Sequence, residues 1–163
     1  MGCLKIMENL KILNNKETKP ILNSLKTHFG FDAKIDFVFL KSNKNRIYLV
    51  NRDISRIDLS GIRINTIGMY IGELVGSDLR LSIEGSQLIG PKSNKNIIST
   101  QFDEQLEWLK GNDLIKSDGD DGYKIIKHKD DFIGCGMQKQ GKILNFIPKI
   151  RRLALNSEYF SLE

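Results

Sequence analysis

Five cations lie between Phe132 and Ser157 with no acid among them: Lys139, Lys142, Lys149, Arg151 and Arg152. They are set among Gly134, Gly136, Gly141, Asn145, Phe146 and Pro148. Ammonium and guanidinium groups spread along a strand and a loop suit phosphate oxygens, setting register on a nucleic-acid backbone without reading its bases. Within the tract, Asn145 offers hydrogen bonds to a base and Phe146 a stacking face for an unpaired nucleotide. The plainer alternatives are that Asn145 makes a turn and that Phe146 joins Ile147 in the core; for Phe146 the core is the preferred expectation. Pro148 fixes chain direction ahead of the Arg151–Arg152 pair. Lys110, Asn112 and Lys116 are expected to line the neighbouring helix–strand edge. The preceding segment, Asp103 to Asp131, carries nine acids against five bases, so the C-terminal half is segregated in charge. Segregation makes a local positive field, for which RNA or DNA is the commonest partner. A solvated basic face on an ordinary domain explains the same charges.

Catalytic motifs are missing from the sequence. It holds no P-loop, no HExxH and no GxSxG elbow. Gly134-Cys135-Gly136 lacks the third glycine and the following helix of a dinucleotide fingerprint. Asp118, Asp120 and Asp121 lack the spacing and terminal Glu of a calcium loop and read as a solvated turn. His128 has no nucleophile beside it and reads as an exposed strand histidine. Cys3, Cys135, His28 and His128 are scattered, with no zinc-type spacing. Cys135 reads as a small buried residue. The expectation is a non-catalytic protein with no cofactor, in a reducing cytoplasm.

The 163 residues, 40% of them hydrophobic and with net charge +5, can bury a core as one large domain or two small ones. No apolar run approaches the roughly 18 residues of a membrane span. The N-terminus lacks a signal-peptide core; Gly2 and Cys3 are present, but Ile6 stands where a myristoylation signal wants Ser or Thr. The first six residues read as an extension ahead of an alternative start at Met7.

The elements that must position these groups are legible to different degrees. Asn15 as cap, Glu17 and Pro20 in the first turn, and Ile21, Leu22, Leu25 and Phe29 at helical spacing predict a helix ended by Gly30. Ile35–Leu40 and Arg46–Val50 read as strands joined by a loop, Ser42 to Asn45. A helical turn at Arg52–Ile57 and a strand near Ile62 follow. Gly68, Gly72 and Gly76, four apart, predict a soluble helix packed closely through a glycine face. Leu79, Leu81 and Ile83, alternating with polar residues, predict a half-buried strand, and the first unit closes near Gly90-Pro91. Further on, Phe102, Leu106 and Leu109 share a helix face, with Asp103 and Glu104 in its first turn, Trp108 at the edge and Gly111-Asn112 at its end. Short strands with glycine at bends then suggest a small barrel. The predicted fold class is α+β: an N-terminal α/β domain over 1–91 and a small pseudo-β-barrel over 92–163.

Residues 102–116, the strand Ile133-Gly134-Cys135-Gly136-Met137 and the phrase Gly141 to Lys149 together resemble a PUA domain, a small RNA-binding pseudo-barrel. The last phrase is similar to PUA-like extensions of ribosomal-RNA 5-methylcytosine methyltransferases. Across nearly the whole chain, Arg46 to Val50, Ile67 to Gly72, Leu79-Arg80-Leu81, Leu88 to Pro91, Gly111-Asn112 and the Gly134/Gly136 strand resemble, in that order, the NIP-seven family of ribosome-biogenesis factors. That resemblance implies RNA binding, of rRNA or pre-rRNA, by the C-terminal domain, with the N-terminal domain serving protein partners or the assembly. The tail from Asn145 to Arg152 departs toward the methyltransferase extensions. Two other roles stay open: an RNA-targeting accessory subunit of a modifying methyltransferase, and a protein-interaction adaptor.

Overall fold

The structure is a computed structural model that describes residues 10–56 and 67–154. The expected strand near Ile62, the N-terminal extension and Cys3 lie outside the described residues. The cap of the first helix, α1 (Asn15–Phe29), is Asn14, one residue before the expected Asn15. Asn14 accepts from Lys16 and Glu17 while Glu17 reaches back to the Asn14 amide, a reciprocal capping box. Gly30 ends it in the left-handed region at φ +65°. Ile21, Leu25 and Phe29 face the core, while Leu22 lies on the solvent side.

Strands β1 (Leu10–Ile12), β2 (Val38–Ser42), β3 (Arg46–Val50), β4 (Met69–Val75) and β5 (Asp78–Leu81) form an antiparallel sheet in sequence order. A 3-10 turn, Arg52–Arg56, follows β3 as expected. The glycine-spaced segment is strand β4 rather than a helix. A spacing of four is also an even spacing, so it puts residues on one face of a strand as well as near one face of a helix. Tyr70 and Ile71 favour the extended form. Gly72 is the residue the sheet requires: a Cβ there would stand 2.4 Å from the Arg80 carbonyl oxygen. Ile71 is the extra residue of a bulge opposite Ile47/Tyr48, fully buried.

The strand after it stops at Leu81, two residues short of its expected reach. Ser82 caps α2 (Ile83–Ile89) by accepting from the Gly85 amide at 2.9 Å. At seven residues it is too short to show a helical period in the sequence. It lies tightly on the first sheet and on the C-terminal strands.

The C-terminal half contains β6 (Ile97–Ser99), α3 (Phe102–Lys110), β7 (Gly122–His128), β8 (Asp131–Lys139) and β9 (Lys142–Leu144), with sheet order β6-β7-β8-β9. β6 runs parallel to β7; the other pairs are antiparallel. Leu114 adds a bridge to Ile143 at the β9 edge, and two residues on, Lys116 Nζ donates to the Ser99 carbonyl of β6 at 2.8 Å. One short segment thus touches both edges of the four-stranded sheet.

Two apolar clusters hold the fold. The first joins Ile21, Leu25 and Phe29 of α1 to Ile47, Ile71, Leu79 and Ile89, and continues into Tyr123, Ile125, Phe132 and Cys135 of β7 and β8. The second gathers Ile98, Trp108, Leu114, Ile126, Ile133, Ile143 and Ile147. β7 and β8 therefore bury both faces, one against each half of the chain. His28 reinforces the junction, its Nε2 lying 2.7 Å from the Tyr123 carbonyl oxygen. α3 is rotated from its expected face: Trp108 is fully buried and Phe102 is 63% exposed. The indole needs the room that Gly134 and Gly136 leave on β8, where a Cβ at Gly136 would come 2.7 Å from the ring. The two glycines thus serve Trp108 packing. His128 is buried, its Nδ1 2.9 Å from the Thr100 carbonyl oxygen, against the expectation of an exposed histidine. The aspartate-rich turn is solvated and is held by Gln138, which donates to the Gly119 and Asp120 carbonyls and accepts from the Asp118 amide.

Candidate nucleic-acid interface

The five tract cations separate into two groups. Lys139 ends β8 and Lys142 begins β9, and they are directly opposed across the hairpin, whose Gln140 and Gly141 both take positive φ. Like charges directly opposite on paired strands are unfavourable. Both are exposed, and neither has an ion-pair partner among the described residues. Lys149 opens the 3-10 turn Lys149–Arg151, equally exposed and unpaired among those residues. These three are the cations available to an incoming anion.

The other two are engaged. Arg151 Nη1 donates to Glu84 on α2, tying the tail to the N-terminal half. Arg152 Nε donates to the Ile147 carbonyl at 3.0 Å and lies over Gly111, where a Cβ would stand 2.3 Å from that nitrogen. Arg152 is therefore a clamp on the end of α3.

The helix-edge candidates are likewise taken up by structure. Lys110 Nζ donates to Glu107 at 2.8 Å, and Asn112 Nδ2 donates to the same carboxylate at 2.6 Å. These two contacts, Lys110 first, hold the Glu107 carboxyl below its ordinary range. Lys116 donates to both Glu104 oxygens as well as to Ser99, and the Glu104 carboxyl is lowered first by the Gln101 amide and then by Lys116.

Asn145 is a staple. Its Nδ2 donates to the Trp108 carbonyl at 2.7 Å and the Asn112 carbonyl at 3.0 Å, and its Oδ1 accepts from the Ile147 amide at 2.8 Å. Both amide hydrogens and the carbonyl are in use, so Asn145 makes the turn and has no donor left for a base. Phe146 reverses its expectation too. It is 39% exposed, with the Arg80 guanidinium 4.6 Å from its ring centroid, while Ile147 fills the core alone.

That Phe146–Arg80 contact borders a cleft of about 240 Å³ between the two halves of the chain, lined by Arg46, Tyr70, Glu73, Arg80, Phe146 and Arg151 among others. Arg46 lies 6.0 Å over Tyr70, and Arg80 pairs with Glu73 at 2.8 Å. Burial, and next the Glu73 charge, raise the Tyr70 phenol above its ordinary value. Cys135 at the floor is buried, and burial pushes its thiol up to about 12. Sequence reasoning missed Arg46, Tyr70, Arg80 and Glu84. Each reads as an ordinary strand or helix residue, and only the fold carries it to the C-terminal tail.

A larger groove, about 830 Å³, lies between α1 and the β4–β5 turn and carries Lys11, His28 and Lys41 beside Glu17 and Asp78. Its mixed charge favours no ligand class.

No described helix is long and apolar enough to cross a membrane. No curated protein matches the chain. The protein-family model for the methyltransferase RsmF PUA domain matches residues 95–153. That span begins just before β6, ends after the Arg151–Arg152 turn, and contains every tract cation. The C-terminal half of this chain carries a PUA-like domain.

Proposed function

We propose that the protein is a non-catalytic RNA-binding protein that engages ribosomal or precursor ribosomal RNA through its PUA-like domain during ribosome biogenesis. The observation that carries this reading is the state of Lys139, Lys142 and Lys149. They lie inside the matched span, exposed, and without ion-pair partners among the described residues. Two are forced opposite each other at a hairpin tip, an arrangement that a bound phosphate would relieve. The ordered resemblance to ribosome-biogenesis factors supports the rRNA assignment, and a five-stranded sheet packed on the PUA-like unit supports a role for the N-terminal half in the same assembly.

A second reading draws on the methyltransferase origin of the matching domain. In it, the protein brings RNA to a modifying methyltransferase. Crosslinking to RNA in native cells, with sequencing of the recovered RNA and mapping of crosslinked peptides, separates the possibilities. Discrete rRNA sites joined to peptides containing Lys139, Lys142 or Lys149 support the first reading. Co-purification of a methyltransferase with RNA marked at those sites favours the second. Recovery at background level, with a protein partner that survives nuclease and high salt, replaces both with an adaptor.

A further inference from the structure

The cleft between the halves is assigned nothing by the PUA match, which excludes Arg46, Tyr70, Arg80 and Glu84. We infer that it holds one unpaired nucleotide of the bound RNA, its base against the Phe146–Arg80 pair and its backbone leaving toward Lys149. The inference rests on the RNA-binding reading and names the part of the RNA that the second half of the chain reads.

Three observations carry it. First, the lining is that of a base site: the aromatic rings of Tyr70 and Phe146 stand beside the Arg80 guanidinium. Second, Phe146 is a large aromatic on the rim with a guanidinium already stacked on it. Such a surface accepts a base at low ordering cost, because both groups are held: Arg80 by Glu73, and Phe146 by its neighbour Ile147, whose side chain is buried in the core. Third, the volume of about 240 Å³ admits a single base with part of its sugar and excludes a duplex. Arg151 belongs to the same 3-10 turn as Lys149, which has no ion-pair partner among the described residues, so a phosphate path leaves the cleft along that turn. The bound nucleotide must therefore come from a loop, bulge or end.

The test compares a fluorescein-labelled hairpin carrying a uridine loop with the same stem as a blunt duplex, and with free UMP. The proteins are the full chain, Arg80→Ala and Phe146→Ala, each checked for an unchanged melting curve. The wild-type protein is expected to prefer the hairpin. Each variant should lose about 5- to 100-fold in hairpin affinity while duplex affinity stays within about twofold. Hairpin and duplex bound by the wild type, with both variants unchanged, overturns the cleft and leaves the RNA-binding reading standing. Wild-type failure on both RNAs overturns that reading and the cleft with it. UMP bound as tightly as the hairpin overturns an RNA-embedded ligand. Should either variant misfold, photocrosslinking wild-type protein to a thiouridine-substituted loop decides the matter: adducts on peptides containing Tyr70 or Phe146 support the cleft, and adducts only elsewhere overturn it.

Discussion

Replacing Asn145 separates a structural role from a base-reading one. Asn145→Ala removes three side-chain hydrogen bonds: to the Trp108 carbonyl, to the Asn112 carbonyl and from the Ile147 amide. Asn112 is exposed, so water replaces that partner at little cost. Trp108 and Ile147 are 0% and 4% exposed, so their backbone groups are left without water. At about 1 kcal/mol per net bond plus part of the desolvation penalty, the loss comes to about 2–3 kcal/mol. For a chain of this size that lowers Tm by about 5–10 °C. Asn145→Asp should be worse. It keeps the acceptor for Ile147 but sets a carboxylate against two carbonyl oxygens. Thermal and urea melts measure the stability, and fluorescence anisotropy with the loop hairpin, well below Tm, measures affinity. The expected result is a clear stability loss with RNA affinity within about twofold of wild type. An unchanged melt with a strong loss of affinity would return Asn145 to base reading and refute the staple.

Three further outcomes follow from the packing and the ionisation. Gly136→Ala drives a methyl to within 2.5 Å of Ile143 and 2.7 Å of the indole, so it should cost about 1–3 kcal/mol in urea denaturation. Glu104 titrates below its ordinary value of 4.5 because the Gln101 amide and Lys116 favour its charged form. Folding energy from a lowered carboxyl is present above the unfolded value and is lost as pH falls through the folded one. Tm should therefore drop below about pH 4.5, less steeply in Glu104→Gln, and a parallel fall in both proteins would contradict the assignment. Cys135, buried with its thiol raised to about 12, should resist iodoacetamide at pH 8 in the native protein and react fully in denaturant, read on its tryptic peptide.

Local signals in the sequence were read well, and distant ones were not. α1 was legible because its cap, first-turn acid, apolar spacing and terminal glycine all act within one helix. β4 was misread since glycines four apart satisfy both a helix face and a strand face, and the choice was made by the Arg80 backbone across the sheet. α2 is only seven residues long and mixes Gly85 and Ser86 with apolar positions, too short for periodicity to speak. Gly85 makes sense only against Ile71, whose carbonyl oxygen would lie 1.9 Å from a Cβ there. On α3 the hydrophobic spacing was visible, but which face turned inward depended on glycines of β8 about 25 residues away. The basic tract was visible as charge. Its division into three available lysines and two engaged arginines was not, because Glu84 and the Ile147 carbonyl are partners only in the folded chain. The cleft gathers residues from β3, β4, β5 and β8, from α2 and from the tail, a coincidence that no spacing rule encodes.

The central claim is that Lys139, Lys142 and Lys149 hold RNA phosphates. It is tested most directly by the salt dependence of affinity for the loop hairpin, wild type against the triple alanine variant. Each phosphate contact on single-stranded RNA contributes about 0.7 to the slope of log K against log salt. Removing three should flatten the slope by about 2 and weaken binding at low salt, with the melting curve not lowered because none of the three makes an ion pair among the described residues and the opposed Lys139–Lys142 pair is relieved. An identical slope in the two proteins would contradict the account and leave these lysines as a solvated face.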